Sequence, residues 1–80
     1  MHTENLVKMA NDISAFFQSD PDRHVAVHGI ADHIRRFWDP RMRKEIIRYM
    51  REGGVGLNDL AKEAIQQIDQ ETAAAAASSG

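Results

Sequence analysis

The fold is decided by one stretch near the middle of the chain, Ala31-Asp32-His33-Ile34-Arg35-Arg36-Phe37-Trp38-Asp39-Pro40-Arg41-Met42-Arg43. Its Asp39-Pro40 pair is typical of a helix start, because proline at the first helical position lacks an N–H that would otherwise stay unpaired. A proline also pushes the preceding residue out of the helical region. We therefore expect a sharp corner between two helices at Trp38, with almost no loop.

Upstream of this corner, apolar residues at three- and four-residue spacing predict two helices. The first has Thr3 as its predicted N-cap and runs to about Ser19, and the second starts at Asp20-Pro21 and ends at Trp38. The predicted buried residues of the two helices are Leu6, Met9, Ala10, Ile13, Phe16, Phe17, Val27, Ile30, Ala31, Ile34, Phe37 and Trp38.

Two features of these helices bear on what they contact. Phe16 and Phe17 are adjacent, so the apolar stripe widens at its end, and one ring lies near the edge, where it could contact a partner. We expect both rings to lie in the core. Gly29 costs the second helix about 1 kcal/mol relative to Ala, but it allows close approach by a neighbouring helix.

Downstream of the corner, a third helix is expected from Pro40 to Gly53-Gly54, where glycine can adopt the left-handed conformation that ends helices. Asn58 is the predicted cap of a fourth helix. After Glu71 the sequence is mainly Ala and Ser. The chain is thus predicted to be a compact all-α, four-helix domain with short connections over residues 1–71, followed by a flexible, disordered tail over 72–80.

Composition narrows the class of protein. The 80 residues make one domain with a net charge of −2 and no cysteine, which excludes disulfides and thiolate metal sites. Because a domain of this size has a small core, we expect packing between its helices, or contact with a partner protein, to supply the stability of the fold. The N-terminus does not resemble a signal peptide and no apolar run is long enough to span a membrane. We expect a cytoplasmic protein without a membrane partner.

Positive charge is concentrated between residues 35 and 51, which hold seven of the ten Lys and Arg residues. Only Asp39 and Glu45 offset them, so this stretch carries +5 and the rest of the chain −7. Six of the seven are arginines, which suit bidentate contacts to carboxylates and stack on aromatic rings. We predict a partner-binding surface made of Arg35, Arg36, Trp38, Arg41 and Arg43.

Two other interpretations of this basic stretch stay open. One is a solvated helix face whose arginines form local salt bridges. The other is a nucleic-acid contact, including a helix-turn-helix across the corner. The acidic background and the lack of Asn, Gln, Ser or Thr on the third helix disfavour base recognition, so any such contact would be to phosphate.

Neither a metal site nor an active site is predicted. His24, His28 and Asp32 recur every four residues on one helical face, and two histidines at that spacing can share a metal. No further ligands follow with comparable spacing, so we interpret them as exposed or capping residues. No nucleophile, phosphate loop or acid–base pair is evident, and we assign no catalytic, cofactor-binding or metal-binding residues.

Three parts of the sequence resemble the delta subunits of cytoplasmic NAD-dependent (molybdenum) formate dehydrogenases. Residues 6–17 are similar to the opening helix of that family, and residues 29–43 resemble its most distinctive stretch, which includes Phe37-Trp38-Asp39-Pro40-Arg41-Met42-Arg43. Gly53-Gly54, and Gly56-Leu57 with Leu60, fit its closing pattern. The resemblance covers about residues 4–68.

The resemblance implies a non-catalytic accessory subunit, without a cofactor of its own, that binds and stabilises or helps assemble the enzyme complex. Its expected partners are a large catalytic subunit, with a molybdenum or tungsten bis-pterin cofactor and iron–sulfur clusters, and flavin-containing diaphorase subunits. The alternative is a stand-alone helical regulator that binds nucleic acid or an anionic ligand through its Arg-rich face. Whether the isolated chain forms a homodimer is left open.

Overall fold

The computed structural model describes residues 2–78. Within that range the chain forms four α-helices and no strand, which confirms the predicted all-α class. The helices are α1 (Thr3–Phe17), α2 (Arg23–Phe37), α3 (Pro40–Arg51) and α4 (Asp59–Ser78). Helix α2 packs against both α1 and α4, and α3 packs against the same two helices.

The corner between α2 and α3 has the predicted form. Trp38 leaves the helix with extended backbone angles, φ −92° and ψ 137°, while its N–H still donates to the carbonyl of Ile34. The Asp39 carboxylate accepts a hydrogen bond from the Met42 N–H at 3.0 Å, and Pro40 is the first residue of α3. Only two residues therefore separate the two helices.

Helix α2 begins later than predicted. Asp20 was expected to cap it, but the Asp20 carboxylate accepts from the N–H of Asp22 at 2.9 Å and thereby closes a turn around Pro21. The cap is Asp22, whose carboxylate accepts from the His24 N–H at 2.9 Å. The prediction was wrong because two aspartates two residues apart compete for one role, and the first is used in the turn.

The predicted cap of α1 is also wrong. The N-cap position is His2, whose side chain makes no capping hydrogen bond. The Thr3 hydroxyl instead donates to the Glu45 carboxylate on α3. Thr3 is therefore the first helical residue, and it joins α1 to α3.

Helix α3 ends at the predicted pair of glycines. The N–H of Gly53 donates to the carbonyl of Met50 at 3.1 Å, and the N–H of Gly54 donates to that of Tyr49 at 3.0 Å. Gly53 and Gly54 have φ values of +120° and +61°, which side chains with a Cβ rarely adopt. These bonds satisfy carbonyl groups that the end of the helix would otherwise leave unpaired.

A polar contact that the sequence did not reveal attaches α1 to the start of α4. Asn58 caps α4 as predicted, since its side-chain oxygen accepts from the Ala61 N–H at 2.9 Å. The same oxygen accepts from the hydroxyl of Ser14, which is only 1% exposed. The N–H of Asn58 also donates to the Asn11 side chain at 2.9 Å. This network fixes the loop after α3 against α1.

The core differs from the prediction at three positions. Its buried apolar residues are Leu6, Ala10, Val27, Ile30, Ala31, Ile34, Trp38, Ile46, Leu57, Ala61, Ala64, Ile65 and Ile68. Phe16, Phe37 and Met9 were expected there, but they are 78%, 72% and 40% exposed. On α1 the buried strip consists of Leu6, Ala10 and Ser14, which leaves Met9 and Phe16 at its edge. On α2 the last buried helical residue is Ile34, which leaves Phe37 outside the buried strip.

Helix α4 continues beyond the predicted domain boundary at residue 71 and reaches Ser78. The Thr72 hydroxyl donates to the Ile68 carbonyl at 2.9 Å, as is common for threonine within a helix. The end of the predicted flexible tail, residues 79 and 80, lies outside the described residues. The boundary at residue 71 stays a prediction.

The Asp39 cap can be tested by substitution. Asp39→Ala is expected to lower the free energy of unfolding by about 1 kcal/mol, because the Met42 N–H loses its acceptor. Asp39→Asn retains an acceptor at the same position and should stay close to the unsubstituted chain. Urea denaturation followed by circular dichroism measures both variants, and equal losses for Ala and Asn would contradict the capping role.

Candidate protein interface

Trp38 lies inside the domain. It was predicted to divide between the core and an interface, and its side chain is 4% exposed within the core cluster. The corner turns the chain so that this ring joins the buried cluster of the core. That Trp38 also belongs to a partner-binding surface stays a prediction.

Arg43 is engaged at the same corner. One guanidinium nitrogen, Nη1, donates to the carbonyl oxygen of Trp38 and lies 3.4 Å from the carbonyl oxygen of Arg35. These carbonyls belong to the end of α2, where helices carry partial negative charge and unpaired acceptors. The Arg43 side chain, from the first turns of α3, therefore caps the helix that precedes it.

Most of the other arginines in the basic stretch form ion pairs within the chain. Arg35 pairs with Glu71 on α4 at 2.8 Å, and Arg36 pairs with Asp32 one turn earlier at 3.1 Å. Further along α3, Arg48 binds both Glu45 and Glu52, and Arg51 binds Asp69 on α4. Much of the basic stretch therefore fits the interpretation, left open from the sequence, of a helix face whose arginines form local salt bridges.

These ion pairs also affect the acidic partners. The hydrogen bond from Arg51 holds the pKa of the Asp69 carboxyl below its ordinary value. Hydrogen bonds from Arg48 and then from Thr3 lower the pKa of Glu45 in the same way. The arginines thus stabilise the charged form of carboxylates that link α3 to α4 and α1.

Two cations of the stretch remain exposed without an ion pair to any side chain described by the structure. They are Arg41 and Lys44, near the start of α3, and we refer to them as the cationic edge. Lys44 lines a small hollow with Pro40, Ile47 and Ile68. Of the residues predicted to bind a partner, Arg41 is the one whose charge is fully available.

An apolar surface that the sequence analysis did not assign lies between α1 and α2. This α1–α2 cleft has a volume of about 410 Å³ and is lined by Asp12, Ile13, Phe16, Phe17 and His33. The rings of Phe16 and Phe17 meet edge to face, with their centroids 5.2 Å apart. In the sequence, the widening of the apolar stripe at these two residues indicated this cleft.

One further ring, that of Phe37, and a glycine border this surface. Phe37 lies beside His33, with 4.7 Å between the ring centroids, and its own ring is largely exposed. Gly29 faces Phe17 so closely that a Cβ at this position would lie 2.5 Å from the Phe17 ring. The glycine thus makes room for an aromatic side chain of α1. The sequence predicted close approach by a neighbouring helix at this position, and here the group that comes close is a side chain of that helix.

The described part of the chain holds no group of three or more His, Cys, Asp or Glu side chains that could bind a metal ion. His24 and His28 are both exposed, in line with the interpretation favoured from the sequence. Among the described helices, none is both long and apolar enough to cross a membrane.

The fold and its surface define a small all-α domain with an internally braced basic corner and an exposed aromatic cleft. A family model described as NADH-dependent formate dehydrogenase delta subunit FdsD matches residues 5–65. The chain therefore belongs to this family of formate dehydrogenase subunits, which confirms the resemblance. Comparison with curated proteins and with solved structures found no match.

The two arginines that flank Met42 should differ in their effect on stability. Arg43→Ala is expected to lower the free energy of unfolding by about 1–2 kcal/mol, because partly buried carbonyls at the end of α2 lose their donor. Arg41→Ala, at an exposed position, should change it by less than about 0.5 kcal/mol. Thermal denaturation of both variants makes the comparison, and equal effects would contradict the capping role of Arg43.

Proposed function

We propose that this chain is a non-catalytic accessory subunit that binds and stabilises, or helps assemble, an NADH-dependent formate dehydrogenase complex. The observation that carries the proposal is the family match over residues 5–65, which covers most of α1, all of α2 and α3, and the first part of α4. Its proposed partners are the large catalytic and diaphorase subunits, in a cytoplasmic complex. The family match favours this role over that of a stand-alone regulator.

The sequence supports a role in which this chain holds no iron–sulfur cluster of its own. Iron–sulfur clusters are held mainly by cysteine thiolates, and the sequence contains no cysteine. We propose that the molybdenum or tungsten bis-pterin, the iron–sulfur clusters and the flavin are carried by the partner subunits. The role of this chain is then contact between proteins.

Within the predicted surface, the structure supports a division of tasks. Trp38 is buried, Arg43 binds the carbonyls at the end of α2, and Arg35 pairs with Glu71 on α4, so these three side chains are engaged within the domain. Arg36 is paired with Asp32 on the exposed face of α2, and such surface pairs exchange partners at little cost. We propose that Arg36 and the cationic edge meet carboxylates or backbone carbonyls of another subunit.

Reconstitution tests the accessory role. The catalytic and diaphorase subunits are produced with and without this chain, and the intact complex and its formate-dependent reduction of NAD⁺ are measured. Omission should lower the yield of intact complex and its lifetime at elevated temperature, because a bound subunit stabilises the folded assembly. Formate oxidation by the isolated chain would contradict a non-catalytic role.

The cationic edge is tested in the same system. Arg41→Glu/Lys44→Glu should weaken association roughly 3- to 10-fold, mainly through slower binding, and the loss should shrink at high salt. The matched control Arg41→Lys/Lys44→Arg keeps both charges and should bind like the unsubstituted chain. Surface plasmon resonance gives the rate constants, and undiminished binding of the Glu variant would rule out this contact.

A further inference from the structure

We propose that the α1–α2 cleft binds an amphipathic helix of another formate dehydrogenase subunit, one with apolar anchors on one face and basic residues toward one end. This inference rests on the proposed function, because it assumes that the chain acts by contact with that complex. It adds an apolar surface whose lining residues are not among the predicted basic set, although that set lies at the neighbouring corner. The case rests on exposure, shape and charge.

The exposed aromatic rings are the first observation. Phe16 and Phe37 are 78% and 72% exposed, although most of the large apolar side chains of this small domain are wholly or partly buried. Phenylalanine rings are among the side chains that stabilise interfaces most when they are buried. An apolar patch bordered by charged residues marks an interaction site on a protein surface.

The shape of the cleft fits a helix. On α1, Met9, Ile13 and Phe16 recur at four- and three-residue spacing and so lie on one face, from which Ile13 and Phe16 line the cleft. On α2, Gly29, His33 and Phe37 recur every four residues. His33 lines the cleft, Gly29 lies against Phe17 and Phe37 lies beside His33. Because Phe17 meets Gly29, and because Ile13 and His33 line the same cleft, the two helices lie side by side.

A groove between two adjacent helices accepts the apolar stripe of a third helix, and amphipathic helices bind in this way through residues at i, i+3 or i+4, and i+7. A second copy of this chain would present the same concave floor at the cleft. Two concave surfaces face to face would leave the floor unfilled, whereas a convex helix would fill it.

Charge gives the occupant an orientation. Asp12 lines the cleft, and its Oδ2 atom accepts from Lys8, which leaves Oδ1 available to a donor on the occupant. The loop that follows Phe17 adds Asp20 and Asp22, whose carboxylates accept backbone hydrogen bonds, so the loop next to this end of the cleft carries negative charge.

The corner at the end of α2 carries exposed basic side chains, of which Arg36 is paired with Asp32. Arg36 precedes Phe37, and Arg41 follows it by four residues across the corner. The occupant is complementary in charge at both ends when its N-terminus and its basic residues face the acidic loop and its acidic residues face the corner. The cationic edge and the cleft would then contact the same subunit.

Single substitutions of the two exposed rings test the cleft. Phe16→Ser and Phe37→Ser are each expected to weaken association with the reconstituted formate dehydrogenase complex by about tenfold or more, as aromatic anchors do. Val55→Ser is the matched control, because Val55 is 77% exposed in the loop between α3 and α4. Circular dichroism and thermal unfolding should be nearly unchanged for all three variants.

The outcomes separate this inference from the proposed function. If the unsubstituted chain binds the complex and both Phe variants bind within about twofold of it, the cleft is not the contact and the accessory role stands. If the unsubstituted chain itself does not bind, both fail. Equal weakening by Val55→Ser would likewise overturn the assignment to the cleft.

Photocrosslinking identifies the occupant. Phe16→p-benzoylphenylalanine is introduced into the full chain, and the purified reconstituted complex is irradiated and analysed by mass spectrometry. Attachment to an amphipathic helical segment of another formate dehydrogenase subunit is the expected result. Attachment to a second copy of the chain, or to a segment without that apolar pattern, would overturn the proposal.

Discussion

The guanidinium group of Arg43 binds the backbone carbonyls with which α2 ends, and the arrangement of the helices depends on this contact. The Asp39 carboxylate caps α3 from the other side of the same corner, and Trp38 is buried between the two caps. A two-residue connection leaves little freedom, so the corner fixes the direction of α3. That direction allows α3 to pack on both α1 and α4.

The rest of the domain is attached to this corner through paired polar contacts. Arg35 and Arg51 connect α2 and α3 to carboxylates on α4, and Ser14 connects α1 to the Asn58 cap. Exposed ion pairs contribute little individually, typically less than about 1 kcal/mol. In this domain the ion pairs mainly fix the orientation of the helices, which surround a core that is small relative to the surface of the domain.

The parts of the fold that the sequence predicted are those set by local chemistry. The Asp39-Pro40 corner, the glycines that end α3 and the Asn58 cap each depend on a few adjacent residues. The start of α2 was misplaced because Asp20 and Asp22 are equally good caps, and only the turn around Pro21 decides between them. Likewise, spacing alone could not tell which side of a wide stripe would be buried, so Phe16 was placed in the core.

The candidate site was harder to predict because it depends on distant partners. The density of arginine indicated an interface, yet carboxylates one helical turn away or on α4 bind most of these side chains. Residues such as Glu71 and Asp69 are far from the basic stretch in sequence, so their pairing follows only from the packing of the helices. What remains exposed is the cationic edge and the aromatic side chains of the α1–α2 cleft.

We propose that the basic corner supports the fold, while the α1–α2 cleft and the neighbouring cationic edge contact another subunit. Hydroxyl-radical footprinting of the free chain and of the purified complex compares the two surfaces directly. Oxidation of Phe16, Phe37 and Met9 is expected to fall strongly on complex formation, while that of Tyr49 at the far end of α3 should change little. Unchanged oxidation of Phe16 and Phe37 in a complex that contains the chain would contradict this proposal.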